Sequence, residues 1–160
     1  MWNMDEKGFK LGITNRAKVI ARTGRHPPRA TYDCTCKLIT VIECCGARLK
    51  MLALMVVFKG SAYYRGWYLE ATKDTPGCFA YSPKGYSTSE IGLEWLRNFN
   101  VETTPTHATE YRLLLLDGHH SHYNLPFCEY AWDNKMILMS YPGNSIHLLQ
   151  PLDAGLFAPL

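Results

Sequence analysis

Residues 111–122, YRLLLLDGHHSH, place one acidic side chain among glycine, serine and histidine directly after four leucines. An apolar run of this kind is typical of a strand that is buried on both faces of a covered sheet. Asp117 then lies at the carboxyl end of that strand, where ligands gather in sheets flanked by helices. The alternative, that Asp117 only forms a turn with Gly118, stays open from this stretch alone.

Two further aspartates share this setting, because turn or cap residues lie beside each of them. Asp5 ends a short opening segment, and Asp153 lies two residues after Pro151, which favours the first turn of a helix. Carboxylates that converge without a cation repel one another and shift their pKa values. Three converging acids therefore predict a site for hard divalent ions such as Mg²⁺. Two such ions, about 4 Å apart, can clamp the attacking and leaving oxygens of a phosphodiester.

The order of elements predicts an α/β fold, a mixed sheet with helices on its faces. The chain opens on the short segment 2–6, which is followed by predicted turns at Gly8 and Gly12. Strands are predicted over AKVIAR, LITVIECC and LKMLALMVVFKG. Three antiparallel strands are thus followed by alternating helices and strands. If the first strand and the strand that ends at Asp117 are central neighbours, Asp5 and Asp117 come together.

The helices of this pattern are marked by their caps and their apolar spacing. GYSTSEIGLEWLRNF carries apolar residues at helical intervals, with Thr88 or Ser89 as its cap. NLPFCEYAWDN is a second helix, KMILMSY is a strand, and the segment after Pro151 is predicted to form the last helix.

The chain has 160 residues, which predicts one domain that buries roughly two-thirds of its unfolded surface. No stretch approaches the ~18 uninterrupted apolar residues of a membrane-spanning helix, and the first five residues do not resemble a signal peptide. We therefore expect a soluble, intracellular protein that does not enter a membrane.

Six cysteines raise the question of disulfides or a zinc site. Their spacing does not form the paired CxxC knuckles of structural zinc, and no secretory signal supports oxidation. We interpret them as small, buried or half-buried residues in a reducing compartment: Cys34, Cys36, Cys44, Cys45, Cys78 and Cys128.

Charge is divided unevenly along the chain. Residues 1–65 hold twelve Lys or Arg against four acids, whereas residues 66–160 hold five against ten. A basic segment in the first part fits contact with DNA phosphates, and a solvated loop with ordinary surface charge is the alternative. The segment contains Arg16, Lys18, Arg22, Arg25 and Arg29.

Five stretches, in this order and at these separations, resemble the catalytic domain of pogo-like transposases, a branch of the Tc/mariner group of DDE superfamily endonucleases. They are WNMDEKGF, TVIECCGA, GLEWLRNF, LLLLDGHHSH and HLLQPLDAGLF. LLLDGH and QPLD are the most specific of these motifs. The resemblance covers nearly the whole chain, so that residues 1–160 form one catalytic domain, and it implies a ribonuclease-H-like fold.

The resemblance also implies a site and a reaction. The three catalytic acids of the family fall on Asp5, Asp117 and Asp153, and thirty-five residues separate the last two, a spacing that fits the group. In such enzymes the triad binds two Mg²⁺ or Mn²⁺ ions, activates water to cut DNA at the ends of an element, and activates the freed 3′ hydroxyl to attack target DNA. A nuclear location and a homo-oligomer on paired DNA ends are implied as well. Glu6 points to the opposite face of a strand from Asp5 and is left outside the triad.

Two histidines after the second acid belong to the same resemblance. His119 and His122 match the family's Gly-His-x-Ser-His segment, which implies that they position a phosphate or support the metal ligands. A zinc site made by His119, His120 and His122 is the alternative, because neutral imidazoles bind zinc. The neighbouring acids favour the first interpretation.

The family pattern includes segments that this sequence lacks. The chain begins four residues before Asp5 and ends seven after Asp153, so we expect the preceding helix-turn-helix domains to be absent and the final helix to be clipped. A catalytic domain that cleaves and joins DNA is the leading interpretation, because all three acids are retained. The alternative is a non-catalytic DNA-binding remnant, host-adopted or decayed. A metal-dependent nuclease of the same fold is a third option, against which QPLD weighs.

Overall fold

A computed structural model describes residues 1–11, 37–48, 50–66, 77–107, 109–117, 123–142 and 152. These residues form six strands and two helices. The strands are β1 (Trp2–Leu11), β2 (Lys37–Gly46), β3 (Leu54–Lys59), β4 (Gly77–Ser82), β5 (Arg112–Leu116) and β6 (Met136–Ser140), and the helices are α1 (Ser89–Glu102) and α2 (Leu125–Asp133). In this part of the chain, no helix has the length and apolar character needed to cross a membrane.

The six strands form one mixed sheet in the order β4-β3-β2-β1-β5-β6. The first three strands are antiparallel, whereas β4 runs parallel to β3, β5 to β1, and β6 to β5. The predicted α/β class, a mixed sheet whose antiparallel strands come first, is therefore confirmed. β4 is an addition: its sequence, GCFAYS, is rich in small residues and carries a weak strand signal, and it forms a strand by pairing along its whole length with β3.

The first strand is longer than its sequence predicts. β1 continues to Leu11 and pairs with β2 throughout, so Gly8 lies opposite Thr40 within the strand rather than in a turn. The predicted turn at Gly8 is therefore wrong, because pairing with a neighbouring strand outweighs the weak strand preference of glycine. Asp5 accordingly lies inside β1 and not at its end. Gly12 and the predicted strand AKVIAR lie outside the described residues.

Both helices pack on one face of the sheet and close a single core. Alternate residues of the central strands, including Met4, Ile42 and Leu114, are fully buried in the same apolar cluster as Leu96 of α1 and Phe127 of α2. This follows from the period of two along a strand, which sends every second side chain to the same face.

The predicted helix starts agree with the observed caps. Thr88 Oγ1 accepts from the N–H of Ile91 at 3.3 Å, and Asn124 Oδ1 accepts from the N–H of Phe127 at 3.1 Å. Each cap pairs one of the N–H groups that the first turn of a helix leaves without an intrahelical partner.

A buried arginine joins the start of β5 to the ends of both helices. Arg112 is 7% exposed, and its guanidinium donates to the carbonyl oxygen and Oδ1 of Asn100, to Thr103 Oγ1 and to the carbonyl oxygen of Asn134, at 2.7 to 3.3 Å. Asn100 and Thr103 lie at the end of α1, and Asn134 is the C-cap of α2. The cation is thus placed where both helix dipoles are negative. Burial lowers the pKa of Arg112, which reflects the cost of removing its charge from water.

We predict that Arg112→Met lowers the free energy of unfolding by about 2–4 kcal/mol, because buried carbonyl groups lose their donors. Arg97→Met is the matched control: Arg97 is exposed on α1, with its guanidinium 5.8 Å from the centre of the Tyr130 ring, and its loss should cost less than about 1 kcal/mol. Urea denaturation of both variants measures the difference. Equal losses would show that the Arg112 network does not stabilise the fold.

Candidate active site

The parallel pairing of β1 with β5 brings two of the predicted acids together. Asn3 lies opposite Leu115, and the same register, continued by two residues, places Asp5 opposite Asp117 directly after the end of β5. Adjacent strands lie about 4.8 Å apart, and the two residues belong to the same face of the sheet. This topology supports the expectation from sequence that the two acids lie near each other. Their chemical roles stay predictions.

Asp5 is held in a defined orientation. The residue is 5% exposed, and its Oδ1 accepts from the backbone N–H of Glu6 at 2.8 Å. Glu6 itself turns away, since its Oε2 accepts from Ser87 Oγ at 2.5 Å, just before α1 on the helix-covered face. Glu6 is therefore excluded from the acidic site, as the period of two along a strand predicts.

Asn3 connects three parts of the chain on the same face as Asp5. It is 3% exposed, its Nδ2 donates to the carbonyl oxygens of Met4 at 3.4 Å and Leu115 at 3.5 Å, and its Oδ1 accepts from the N–H of Leu152 at 3.4 Å. Leu152 is fully buried. A residue 149 positions away in the sequence is thus attached to the strand that carries Asp5.

Two tyrosines border the pair of acids. Burial is the main cause that raises the pKa of Tyr123, and the Asp117 carboxylate adds to the effect. Burial likewise raises the pKa of Tyr141, and the Cys45 thiol and the Asp5 carboxylate add to it. Both phenols therefore stay protonated near neutral pH and can donate hydrogen bonds.

Four cysteines of the described residues carry free thiols: Cys44, Cys45, Cys78 and Cys128. Burial is the first cause that raises the pKa of Cys44, Cys45 and Cys78, so these three thiols stay protonated. A protonated thiol neither binds a metal nor attacks a substrate. This agrees with their interpretation as structural residues; Cys34 and Cys36 lie outside the described residues.

Several predicted site residues lie outside the described part of the chain. They are Asp153, His119 and His122, together with the basic residues Arg16, Lys18, Arg22 and Arg25. Among the residues that are described, no group of three or more His, Cys, Asp or Glu side chains could hold a metal ion. The observed part of the site is therefore the Asp5–Asp117 pair with its polar neighbours.

A protein-family model described as DDE superfamily endonuclease matches residues 35–160, which is most of the chain. The chain therefore belongs to this family and is a DDE endonuclease domain of the transposase type. A curated protein, the MFS-type transporter clz9 of Cochliobolus lunatus, is 36% identical over 163 residues, which cover 100% of this chain but 17% of that protein. The chain thus spans about a sixth of the length of this relative.

Solved transposase structures share the fold. A pre-cleavage Mos1 transpososome has a TM-score of 0.65 at 14% identity, and a Mos1 paired-end complex with the left transposon end has a TM-score of 0.61 at 15% identity. Each match covers 99% of this chain and 40% of the Mos1 chain. The predicted ribonuclease-H-like fold and the predicted DDE domain of the Tc/mariner type are confirmed.

Two polar residues of this face were not among the predicted site residues. Asn3 lies two residues before Asp5, so the period of two along a strand already places both on one face. Tyr141 follows the strand next to β5, and two parallel strands that end together would place it level with Asp117. In both cases the sequence contains the information that locates the residue, but using it requires knowing which strands are neighbours in the sheet.

We predict that Asn3→Leu, which keeps the side-chain volume, lowers the free energy of unfolding by about 1–3 kcal/mol, because buried groups of Leu115 and Leu152 lose their partner. Asn98→Leu is a suitable control, since its amide donates to the Cys78 sulfur at 3.5 Å, a weak acceptor. Its cost should stay below about 1 kcal/mol. Chemical denaturation compares the two, and an Asn3 variant as stable as the wild type would contradict the assigned hydrogen bonds.

Proposed function

We propose that this chain is the catalytic domain of a DNA transposase, which cleaves DNA strands and joins a 3′ hydroxyl end to target DNA with the help of Mg²⁺ or Mn²⁺. The observation that carries the proposal is the parallel pairing of Asn3 in β1 with Leu115 in β5, a register that, continued by two residues, supports a position of Asp5 level with Asp117. One carboxylate within β1 and one directly after the carboxyl end of β5, on the same face of the sheet, supply oxygen ligands for the metal ions of a phosphoryl-transfer site.

Asp153 is proposed as the third acid. It is the covalent neighbour of Leu152, whose N–H donates to Asn3 two residues before Asp5. Consecutive Cα atoms lie about 3.8 Å apart, so the contact of Leu152 with β1 supports a place for Asp153 near the same strand. The family match over residues 35–160 includes Asp153, and the QPLD motif that contains it resembles the third-acid motif of pogo-like transposases, which supports the same assignment.

The donor atoms fit a hard cation. Carboxylate oxygens are the ligands that Mg²⁺ and Mn²⁺ prefer, and burial raises the pKa of the nearby Cys45 thiol, which disfavours the thiolate that zinc binds. Asp5, Asp117 and Asp153 would hold the ions, which when bound would neutralise charge on the phosphodiester and activate the attacking oxygen. The N–H of Glu6 fixes the orientation of the Asp5 carboxylate in advance.

The proposal also includes contacts with DNA and the assembly in which the domain acts. His119 and His122 are proposed to position a phosphate, and the basic segment with Arg16, Lys18 and Arg22 to contact the DNA backbone. The solved relatives include a Mos1 mariner paired-end complex with Mn, which supports Mn²⁺ as a cofactor and paired DNA ends as substrate. A homo-oligomer on two ends is proposed on the same basis, and a nuclear location is proposed only from the resemblance to pogo-like transposases.

Transport is not proposed. The transporter name belongs to a protein of which this chain matches 17%, and the chain itself is accounted for by the endonuclease family model.

The acids are tested first. Asp117→Asn should abolish Mn²⁺ binding measured by calorimetry, and it should reduce nicking of DNA in Mn²⁺ by at least ~10²- to 10³-fold, because a preorganised electrostatic interaction is removed. Asp133→Asn is the control, because Asp133 is exposed at the end of α2 and does not lie at the end of the sheet where Asp117 follows β5. This substitution should leave both measurements unchanged.

The outcomes separate the competing functions. Mn²⁺ binding of equal strength in the wild type and in Asp117→Asn would contradict the metal site. A folded wild type that binds Mn²⁺ and DNA but does not nick under any tested condition would favour the non-catalytic, host-adopted or decayed remnant.

The basic segment is tested by salt dependence. DNA affinity should fall steeply with salt, and joint replacement by alanine of Arg16, Lys18, Arg22 and Arg25 should reduce the slope by about 1 for each phosphate that is no longer neutralised. The control is a second quadruple variant, in which four exposed basic residues outside this segment are replaced by alanine, so that the charge changes by the same amount. These residues are Lys10, Lys59, Lys84 and Arg97. Equal slopes in the two variants would show that the basic segment is an ordinary solvated surface.

A further inference from the structure

Tyr141 lies at the edge of the acidic site without a role in the proposed reaction. Its backbone N–H donates to the carbonyl oxygen of Leu116 at 3.3 Å. The parallel register pairs Leu116 with Ser140, so Tyr141 is level with Asp117 one strand further out. Asp117 and Tyr141 thus directly follow the ends of two neighbouring parallel strands, and Asp5 lies within the adjacent strand β1 on the same face of the sheet.

The hydroxyl of Tyr141 is buried on the side of the acids. Within the described part of the chain, its Oη has no hydrogen-bond partner. The hydroxyl is nevertheless close enough to the Cys45 thiol and the Asp5 carboxylate to interact electrostatically with both. A buried hydroxyl that lacks a partner lowers stability, and such a group in a native fold requires an explanation, of which a functional ligand is one.

The backbone at Tyr141 is restrained before any ligand binds. Tyr141 precedes Pro142, and the residue before a proline is restricted to extended backbone conformations. The backbone hydrogen bond to Leu116 adds a second constraint. Because the backbone is restrained and the hydroxyl is buried, the phenol has little conformational freedom to lose when it forms a hydrogen bond.

We propose that the Tyr141 hydroxyl donates a hydrogen bond to a phosphate oxygen of DNA that reaches Asp5 and Asp117. The inference rests on the proposed function, because it assigns the ligand to the same site. A phosphate brought next to carboxylates requires donors, and Tyr141 supplies a neutral O–H beside Asp5. A hydrogen bond from tyrosine to a phosphate positions DNA without reading its sequence. This suits a site that cleaves and joins the sugar-phosphate backbone of DNA.

Tyr141→Phe removes the hydroxyl alone and tests the proposed hydrogen bond. With Ca²⁺ present to prevent turnover, the affinity for a short DNA duplex should fall roughly 5- to 10-fold, as expected when one hydrogen bond to a charged group is removed. In Mn²⁺ nicking assays, KM for DNA should rise by a similar factor with kcat little changed. Without metal or DNA, the Tm should stay unchanged or rise, because a buried hydroxyl without a partner is removed.

Tyr111→Phe is the matched control. Tyr111 is 64% exposed and lies just before the other end of β5, so the same chemical change there should alter neither DNA affinity nor Tm. Circular dichroism of each variant establishes that it is folded.

The results separate a failure of this inference from a failure of the proposed function. An unchanged DNA affinity in Tyr141→Phe, with or without a lower Tm, overturns the phosphate hydrogen bond even if the wild type nicks DNA. A wild type that binds DNA but does not nick it, together with weaker binding by Tyr141→Phe, supports the hydrogen bond and contradicts the catalytic proposal. A wild type that does not bind DNA overturns both.

Discussion

The site depends on one structural constraint, the parallel pairing of β1 with β5 at the centre of the sheet. This pairing joins residues more than one hundred positions apart, such as Asn3 and Leu115, and the same register continued by two residues sets Asp5 level with Asp117 on one face. A shift of the register by one residue would send one carboxylate to the opposite face. The buried leucines of β5 therefore matter for function, because their packing sets the position of Asp117.

One face of the sheet forms the apolar core, and the other carries the polar residues of the candidate site. One face packs against α1 and α2, and its apolar core, together with the Arg112 network, holds β5 in place. The other face carries the buried polar side chains of Asn3 and Asp5, with the Tyr141 hydroxyl nearby. Stability comes mainly from the first face, so the second can accommodate polar groups that would otherwise weaken the fold.

Local patterns in the sequence predict a large part of this structure. The caps of α1 and α2, the buried strand LLLLD and the α/β class follow from short-range rules, and the motifs around Asp5 and Asp117 indicate the family. Contacts set by tertiary structure are not predictable in this way. β1 passes through Gly8 because β2 pairs with it, β4 forms because β3 is beside it, and Asn3 meets Leu152 only when the chain is folded.

The central claim is that Asp5 and Asp117 hold the same divalent ion. Anomalous diffraction from crystals of this domain grown with Mn²⁺ measures this directly. The account predicts an anomalous peak within about 2.4 Å of a carboxylate oxygen from each residue, as hard cations require. A peak bound by only one of the two acids, or a fully occupied Mn²⁺ elsewhere with none between them, would contradict it.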